Sequence, residues 1–401
     1  MDRNLNRKEL IQMARRNIAH VKAGTVDQAP DVHRIPSAHY VDADRWQLEM
    51  QRVFRRLPLV FAFSAELREA GDYRSMNVAD VPVLLTRGSD GAVRAFLNVC
   101  RHRGAVVAQE GSGNASRFIC PYHAWSYDNQ GSLLGIYNQK DFGKIDKACH
   151  GLTPLPVFER AGIIWGALTP DCPVDFDRFL GGYDELLEGL GLADAHLVGR
   201  QAVEGPGWKV AYDGYLDFYH LPILHRDSFG ADMPSDALYD EYGPHQRVSM
   251  PNPGLLALES TPEDEWPIEN IVGGVWTIFP HISIADFDAG GKMYMVSQLF
   301  PGATPDESIT IQNFLAVDPP TEESQAAIDG MLAFLLQVVR DEDYATGKRI
   351  QNAIKTGLTT EVLFGRNEFG GQRFHRWVDA ILKTDDADLD DLFARGIDAP
   401  S

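Results

Sequence analysis

The stretch that decides the reading is Cys100-Arg101-His102, then seventeen residues, then Cys120-Pro121-Tyr122-His123. Two short pairs, each one cysteine and one histidine, flank a loop containing Gly111, Ser112, Gly113 and Asn114. Together they present two thiolates and two imidazoles, the donor set of a mixed-ligand metal centre. Pro121 stiffens the second pair.

Two metals compete for such a set. A structural zinc site usually takes its cysteines as one close pair and its histidines as another. A Rieske 2Fe-2S cluster holds one iron by two cysteines and the other by two histidines, so each loop supplies one of each. The order Cys-His, Cys-His therefore favours the iron-sulfur cluster over zinc, with Cys100, His102, Cys120 and His123 as ligands.

The flanks Asn98-Val-Cys100-Arg101-His102-Arg103-Gly104 and Cys120-Pro-Tyr-His123-Ala-Trp125-Ser-Tyr127-Asp-Asn-Gln-Gly131 resemble the Rieske domain of the non-haem iron, aromatic-ring-hydroxylating oxygenases, in their large (alpha, terminal oxygenase) subunit. Rieske proteins of respiratory complexes carry an extra cysteine in each loop. Here the comparable places hold Ala105 and Tyr122.

The chain has 401 residues, 44% of them apolar, enough for two or three domains with a large core. No apolar run approaches a membrane span and no signal peptide is read, so a cytoplasmic protein is expected. Two cysteines remain, Cys149 and Cys172, expected as free thiols in a reducing compartment. A net charge of -20 speaks against nucleic acid or an anionic membrane as partner.

The periodicity predicts a helix over 7–24, a linker bracketed by Pro30 and Pro36, and a short helix over 43–54. Short strands follow at 81–86 and 93–99, with a closing strand at 157–168. Acidic helical segments occupy 175–192. Strands return at 275–284, 292–300 and 309–317, then a long helix begins after Thr321. The expected class is α+β: a small antiparallel β Rieske domain (41–170) after an N-terminal helical segment (1–40). A helix-grip catalytic domain follows (171–401), an antiparallel sheet with a long C-terminal helix. Residues 231–270, rich in Pro, Asp, Glu and Ser, are expected as a surface excursion, a lid or a variable insertion. The acidic tail 384–401 is expected to fray or dock.

The second domain contains Trp208-Lys-Val-Ala-Tyr-Asp213-Gly-Tyr-Leu-Asp217-Phe-Tyr-His220-Leu-Pro-Ile-Leu-His225. His220 and His225, with Asp217 three before, resemble the family's mononuclear iron motif. A five-residue step puts two side chains on different faces of an unbroken helix, so Pro222 must break or kink it. Oxygen-activating ferrous iron is typically held by two histidines and a carboxylate. The resemblance places that carboxylate in Asp341-Glu342-Asp343, with Asp343 preferred. It also implies that Asp217 joins a cluster histidine of one subunit to an iron histidine of the next.

What the resemblance implies is a terminal oxygenase. Electrons from NAD(P)H arrive through a ferredoxin or flavin reductase. They pass from the Rieske cluster to the iron, and oxygen is inserted into an aromatic or otherwise apolar small molecule, by dihydroxylation, monohydroxylation or demethylation. A homotrimer, with or without a beta subunit, is expected. Tyr215, Leu216, Phe218, Leu221, Ile223, Trp276, Ile278, Phe279 and Ile284 are either pocket wall or core. The alternatives are a stand-alone Rieske electron carrier, which needs only the first 170 residues, and a zinc-stabilised binding module, which leaves His220 and His225 unexplained.

Overall fold

The structure, a computed structural model, describes residues 3–267, 271 and 273–398. The chain forms two compact units. The smaller comprises 54–174 with 192–194, and the larger comprises the residues before 54, 175–191 and those from 195 on.

The smaller unit is built from three antiparallel sheets. One has five strands in the order Pro154–Leu155, Val93–Leu97, Val81–Arg87, Asp72–Val78, Gly111–Asn114. A second joins Arg117–Ile119, Ser126–Asp128 and Leu133–Gly135. The third joins Val157–Arg160, Ile163–Gly166 and Leu59–Phe63. The run 157–168, expected as one strand, is thus a hairpin. Its turn residues Ala161 and Gly162 both have positive φ, 54° and 75°, the hand that matches strand twist. A side chain at Gly162 would meet the backbone of Leu192 and Ala193 at 2.3 Å, which explains why that short segment belongs to this unit.

The larger unit is organised on a seven-stranded antiparallel sheet. Its order is His196–Gly205, Ser308–Ala316, Lys292–Pro301, Ile282–Asp288, Val275–Ile278, His245–Ser249, Leu238–Tyr242. Thr321 caps helix Glu322–Val338 in a reciprocal bond pair with Ser324. Ile328 and Leu335 of that helix pack with Met293, Met295 and Phe314 of the sheet, the expected helix-grip arrangement. The helix runs on through a π turn, Val339–Tyr344, into Ala345–Lys355.

Several expectations need correction. Part of the supposed excursion 231–270 is sheet, because Leu238–Tyr242 pairs in register with His245–Ser249; residues 268–270 lie outside the described set. The run 275–284 is two strands, parted at Phe279 and Pro280. The described residues up to 53 pack in the larger unit, whereas 41–53 were expected with the cluster domain. The reason is a buried ion pair: Glu49, on helix Ala43–Glu49, accepts from Lys209 Nζ and, at 3.0 Å, from Trp208 Nε1. Both charges are almost fully buried, and opening such a pair leaves one uncompensated, at a cost of about 3–5 kcal/mol. The Trp-Lys lead-in of the iron motif is therefore a tether to the N-terminal segment. In the acidic tail, Leu389, Leu392 and Phe393 of helix Leu389–Arg395 are buried, so that part docks within its own unit.

Candidate metal centres

In the smaller unit the two Cys/His loops have the same backbone. The Cys100 amide donates to the Ala105 carbonyl at 2.8 Å and the Gly104 amide to the Cys100 carbonyl at 3.0 Å. The second loop repeats both bonds at the same lengths, from Cys120 to Trp125 and from Ala124 to Cys120. The fourth residue after each cysteine has positive φ, 79° at Gly104 and 54° at Ala124. The base of the first loop is clamped by buried Asn98, whose Oδ1 accepts from the Val107 and Ala108 amides.

Cys100 and Cys120 are buried. Burial pushes the Cys100 thiol above its ordinary pKa; Tyr127, whose hydroxyl lies 3.3 Å from Cys100 Sγ, opposes this, and Cys120 adds to it. The His102 and His123 rings lie 4.6 Å apart, and His102 stacks on Trp125 at 5.1 Å. Their Nδ1 atoms are buried and have no hydrogen-bond partner. Such orphans are rare and call for a ligand; two thiols beside two orphaned ring nitrogens fit a Rieske cluster. Among the described residues, no three of these donors converge within 4.8 Å. A single tetrahedral zinc, with bonds of about 2.0–2.3 Å, needs that convergence.

The group that does converge is His220, His225 and Asp343, whose ligand atoms lie within 4.8 Å of one another. Helix Trp208–Asp213 ends before the histidines, and a second short helix, Leu221–Leu224, starts after His220 with Pro222 in its first turn. There proline's missing N–H is harmless, so the break precedes the pair rather than kinking between its members. The rings stand 5.3 Å apart at 72°.

Both imidazoles are held from behind. Asp217 Oδ1 lies 3.0 Å from His220 Nδ1 and accepts from the His220 amide at 3.1 Å. Glu342 Oε2 lies 2.6 Å from His225 Nδ1 and accepts from Ser228 Oγ at 2.9 Å. Each Nε2 is left facing Asp343 Oδ1, at 3.9 Å from His220 and 3.2 Å from His225. Burial works against charge on His225, but Asp343 and Glu342 outweigh it and raise its pKa. A carboxylate behind each ring fixes its tautomer and orientation, as metal-ligating histidines require. Within the acidic run the roles separate: Asp341 pairs with Arg340 at the surface, Glu342 backs His225, and Asp343 meets both histidines. Glu342 as a backing group is legible only in three dimensions.

The histidines and Asp343 line a cavity of about 360 Å³. Of the residues expected as wall or core, Tyr215, Phe218 and Leu221 line it. Leu216 is core, and Ile223 is exposed. On the sheet, Trp276, Ile278, Phe279 and Ile284 are core. Strand alternation turns Val275, Ser283 and Ala285 to the cavity instead.

Two family models match the chain: the Rieske [2Fe-2S] domain over 58–155 and the ring hydroxylating alpha subunit catalytic domain over 194–384. The chain belongs to this family, whose two domains carry a 2Fe-2S cluster and a mononuclear iron. It is 31% identical over 197 residues to the glycine betaine monooxygenase oxygenase subunit of Chromohalobacter salexigens, covering 49% of this chain and 44% of that protein. It is 34% identical over 223 residues to the anthranilate 1,2-dioxygenase large subunit of Burkholderia cepacia, covering 50% and 51%. The chain thus spans about half the length of the curated relatives it matches. Naphthalene 1,2-dioxygenase from Rhodococcus sp. shares the fold, with a TM-score of 0.73 at 22% identity over 93% of this chain and 98% of that one. No helix among the described residues is long and apolar enough to cross a membrane.

Proposed function

We propose that the chain is the terminal oxygenase component of a multi-protein system and hydroxylates a largely apolar small molecule. The observation that carries this reading is the convergence of His220, His225 and Asp343 on the wall of an apolar cavity, with a carboxylate behind each ring. Cys100, His102, Cys120 and His123 hold the 2Fe-2S cluster, and His220, His225 and Asp343 hold the iron. When bound, the cluster supplies single electrons and the iron supplies oxygen activation. The chain's own residues orient and exclude: Asp217 and Glu342 fix the rings, while Phe218, Leu221, Leu224, Phe229 and Leu335 keep bulk water from the substrate.

Asp217 also supports an assembly of several copies. Its Oδ1 is used by His220, while its Oδ2 has no partner among the described residues. That oxygen accepts an imidazole N–H from a neighbouring copy's cluster in a closed ring, most simply a homotrimer, with or without a beta subunit. The electron donor is a ferredoxin or flavin reductase fed by NAD(P)H. Metal analysis tests the reading directly: about three irons per chain and acid-labile sulfide are expected. A surrogate reductase should drive oxygen-dependent product formation. A colourless, zinc-containing protein would end it.

A further inference from the structure

Among the described residues, the cavity beside the iron site is lined by four acidic residues, Asp213, Asp217, Asp343 and Glu368, and by neither lysine nor arginine. Around the two histidines, Asp217, Glu342 and Asp343 supply three carboxylates, more than the two positive charges of a ferrous ion. Burial, with Asp217 and Asp213 nearby, raises the Glu368 carboxyl, consistent with a field that is already negative. A carboxylate entering here gives up its water and finds no cationic side chain to replace it.

The sheet side is different in kind. Ser283 lines the cavity and is 3% exposed, yet its hydroxyl has no hydrogen-bond partner among the described residues. Directly opposite it across the strand pair is Ser297, 1% exposed and outside the cavity lining, beside the Tyr215 hydroxyl. Beside them Tyr215 and Tyr344 line the cavity with hydroxyls 3.2 Å apart, and Tyr344 is bonded in turn to Thr310. Buried hydroxyls are normally paired. The Ser283 hydroxyl, unpaired on the cavity wall beside an otherwise hydrogen-bonded strip, marks where a ligand completes the bonding.

We propose that the substrate is a non-anionic molecule with an apolar body and one hydrogen-bonding group, such as a hydroxyl or carbonyl, anchored by Ser283. This rests on the reading of His220, His225 and Asp343 as the iron site. Calorimetric titration of the iron-loaded protein with toluene, benzyl alcohol and benzoate tests it. Benzyl alcohol should bind about tenfold tighter than toluene, the worth of one hydrogen bond, and benzoate at least about tenfold more weakly than the alcohol. Ser283→Ala should erase the alcohol's advantage and leave toluene unchanged, while Ser283→Thr, which keeps a hydroxyl, should retain it. Benzoate binding as tightly as the alcohol, an advantage that survives Ser283→Ala, or no binding of the alcohol each overturns the inference. With iron present by metal analysis, such a result leaves the oxygenase reading standing; a protein that holds no iron overturns both.

Discussion

The two candidate centres are assembled in opposite ways. The cluster donors lie within one stretch, 100–123, on two loops that repeat the same pair of backbone bonds at the same lengths. The iron-site residues come from segments far apart in sequence, with 117 positions separating His225 from Glu342. A site written into local turns persists wherever its hairpins form. A site drawn from a helix break, a π turn and a cavity wall exists only once the larger unit has packed. The difference predicts that the first centre is broken mainly by touching its ligands, and the second also by changes behind them.

The largest effect is expected at the cluster. Cys100→Ser should bleach the visible spectrum and abolish turnover while mononuclear iron stays bound; an undiminished Rieske spectrum would refute the ligand assignment. Next comes Asp343→Ala, expected to lose the mononuclear iron and all oxygenation with the cluster spectrum intact. Asp341→Ala should do neither, since Asp341 faces Arg340. If iron is lost from the Asp341 variant and kept in the other, the third ligand has been misplaced.

Asp217→Asn should keep both metals and lower turnover by about 10–100-fold. Mixing Cys100→Ser chains with His225→Ala chains should restore part of the activity, because some interfaces then pair an intact cluster with an intact iron. Hybrids as inactive as their parents, despite proven subunit exchange, would remove the cross-subunit role of Asp217. Glu342→Gln should weaken iron about tenfold without touching the cluster, measured by chelator competition. The smallest change is expected from Tyr127→Phe. Its hydroxyl sits 3.3 Å from Cys100 Sγ, so its loss should lower the reduction potential while leaving the spectrum. An unchanged potential would mean that this contact does not tune the cluster.

The same contrast explains what the sequence could tell. Cys100, His102, Cys120 and His123 are readable because ligand spacing is set by short loops. His220 and His225 stand out as a pair in the sequence, but Pro222 points to a break between them, whereas the helix breaks before His220 and a short helix, Leu221–Leu224, joins the two. Asp343 stood beside two rivals because a face assignment on a helix needs its phase, and nothing in Val339-Arg-Asp-Glu-Asp-Tyr344 announces a π turn. Glu342 behind His225, Ser283 on the cavity wall and Glu49 against Lys209 depend on contacts across 117, two adjoining strands and 160 positions, which periodicity does not encode. The hairpin at 238–249 is hidden in the sequence because its polar residues suggest loop, while His245, Gln246 and Arg247 are buried and each bonds a backbone carbonyl of the fold.

The π turn also alters the phase of the helix that contains it. An α-helix advances 100° per residue, so continuing the period of the buried Leu335 would bury positions 342 and 349. Arg349 is instead exposed, and the buried stripe resumes at Tyr344, Gly347, Gln351 and Ile354. The turn thus works as a phase shifter between two helical halves: Glu322–Val338 is keyed to the sheet, while Ala345–Lys355 is keyed to a different set of neighbours. Deleting one residue inside it would re-align the halves and swing Asp343 away from the histidines, whereas the same deletion in a surface loop would pass almost unnoticed.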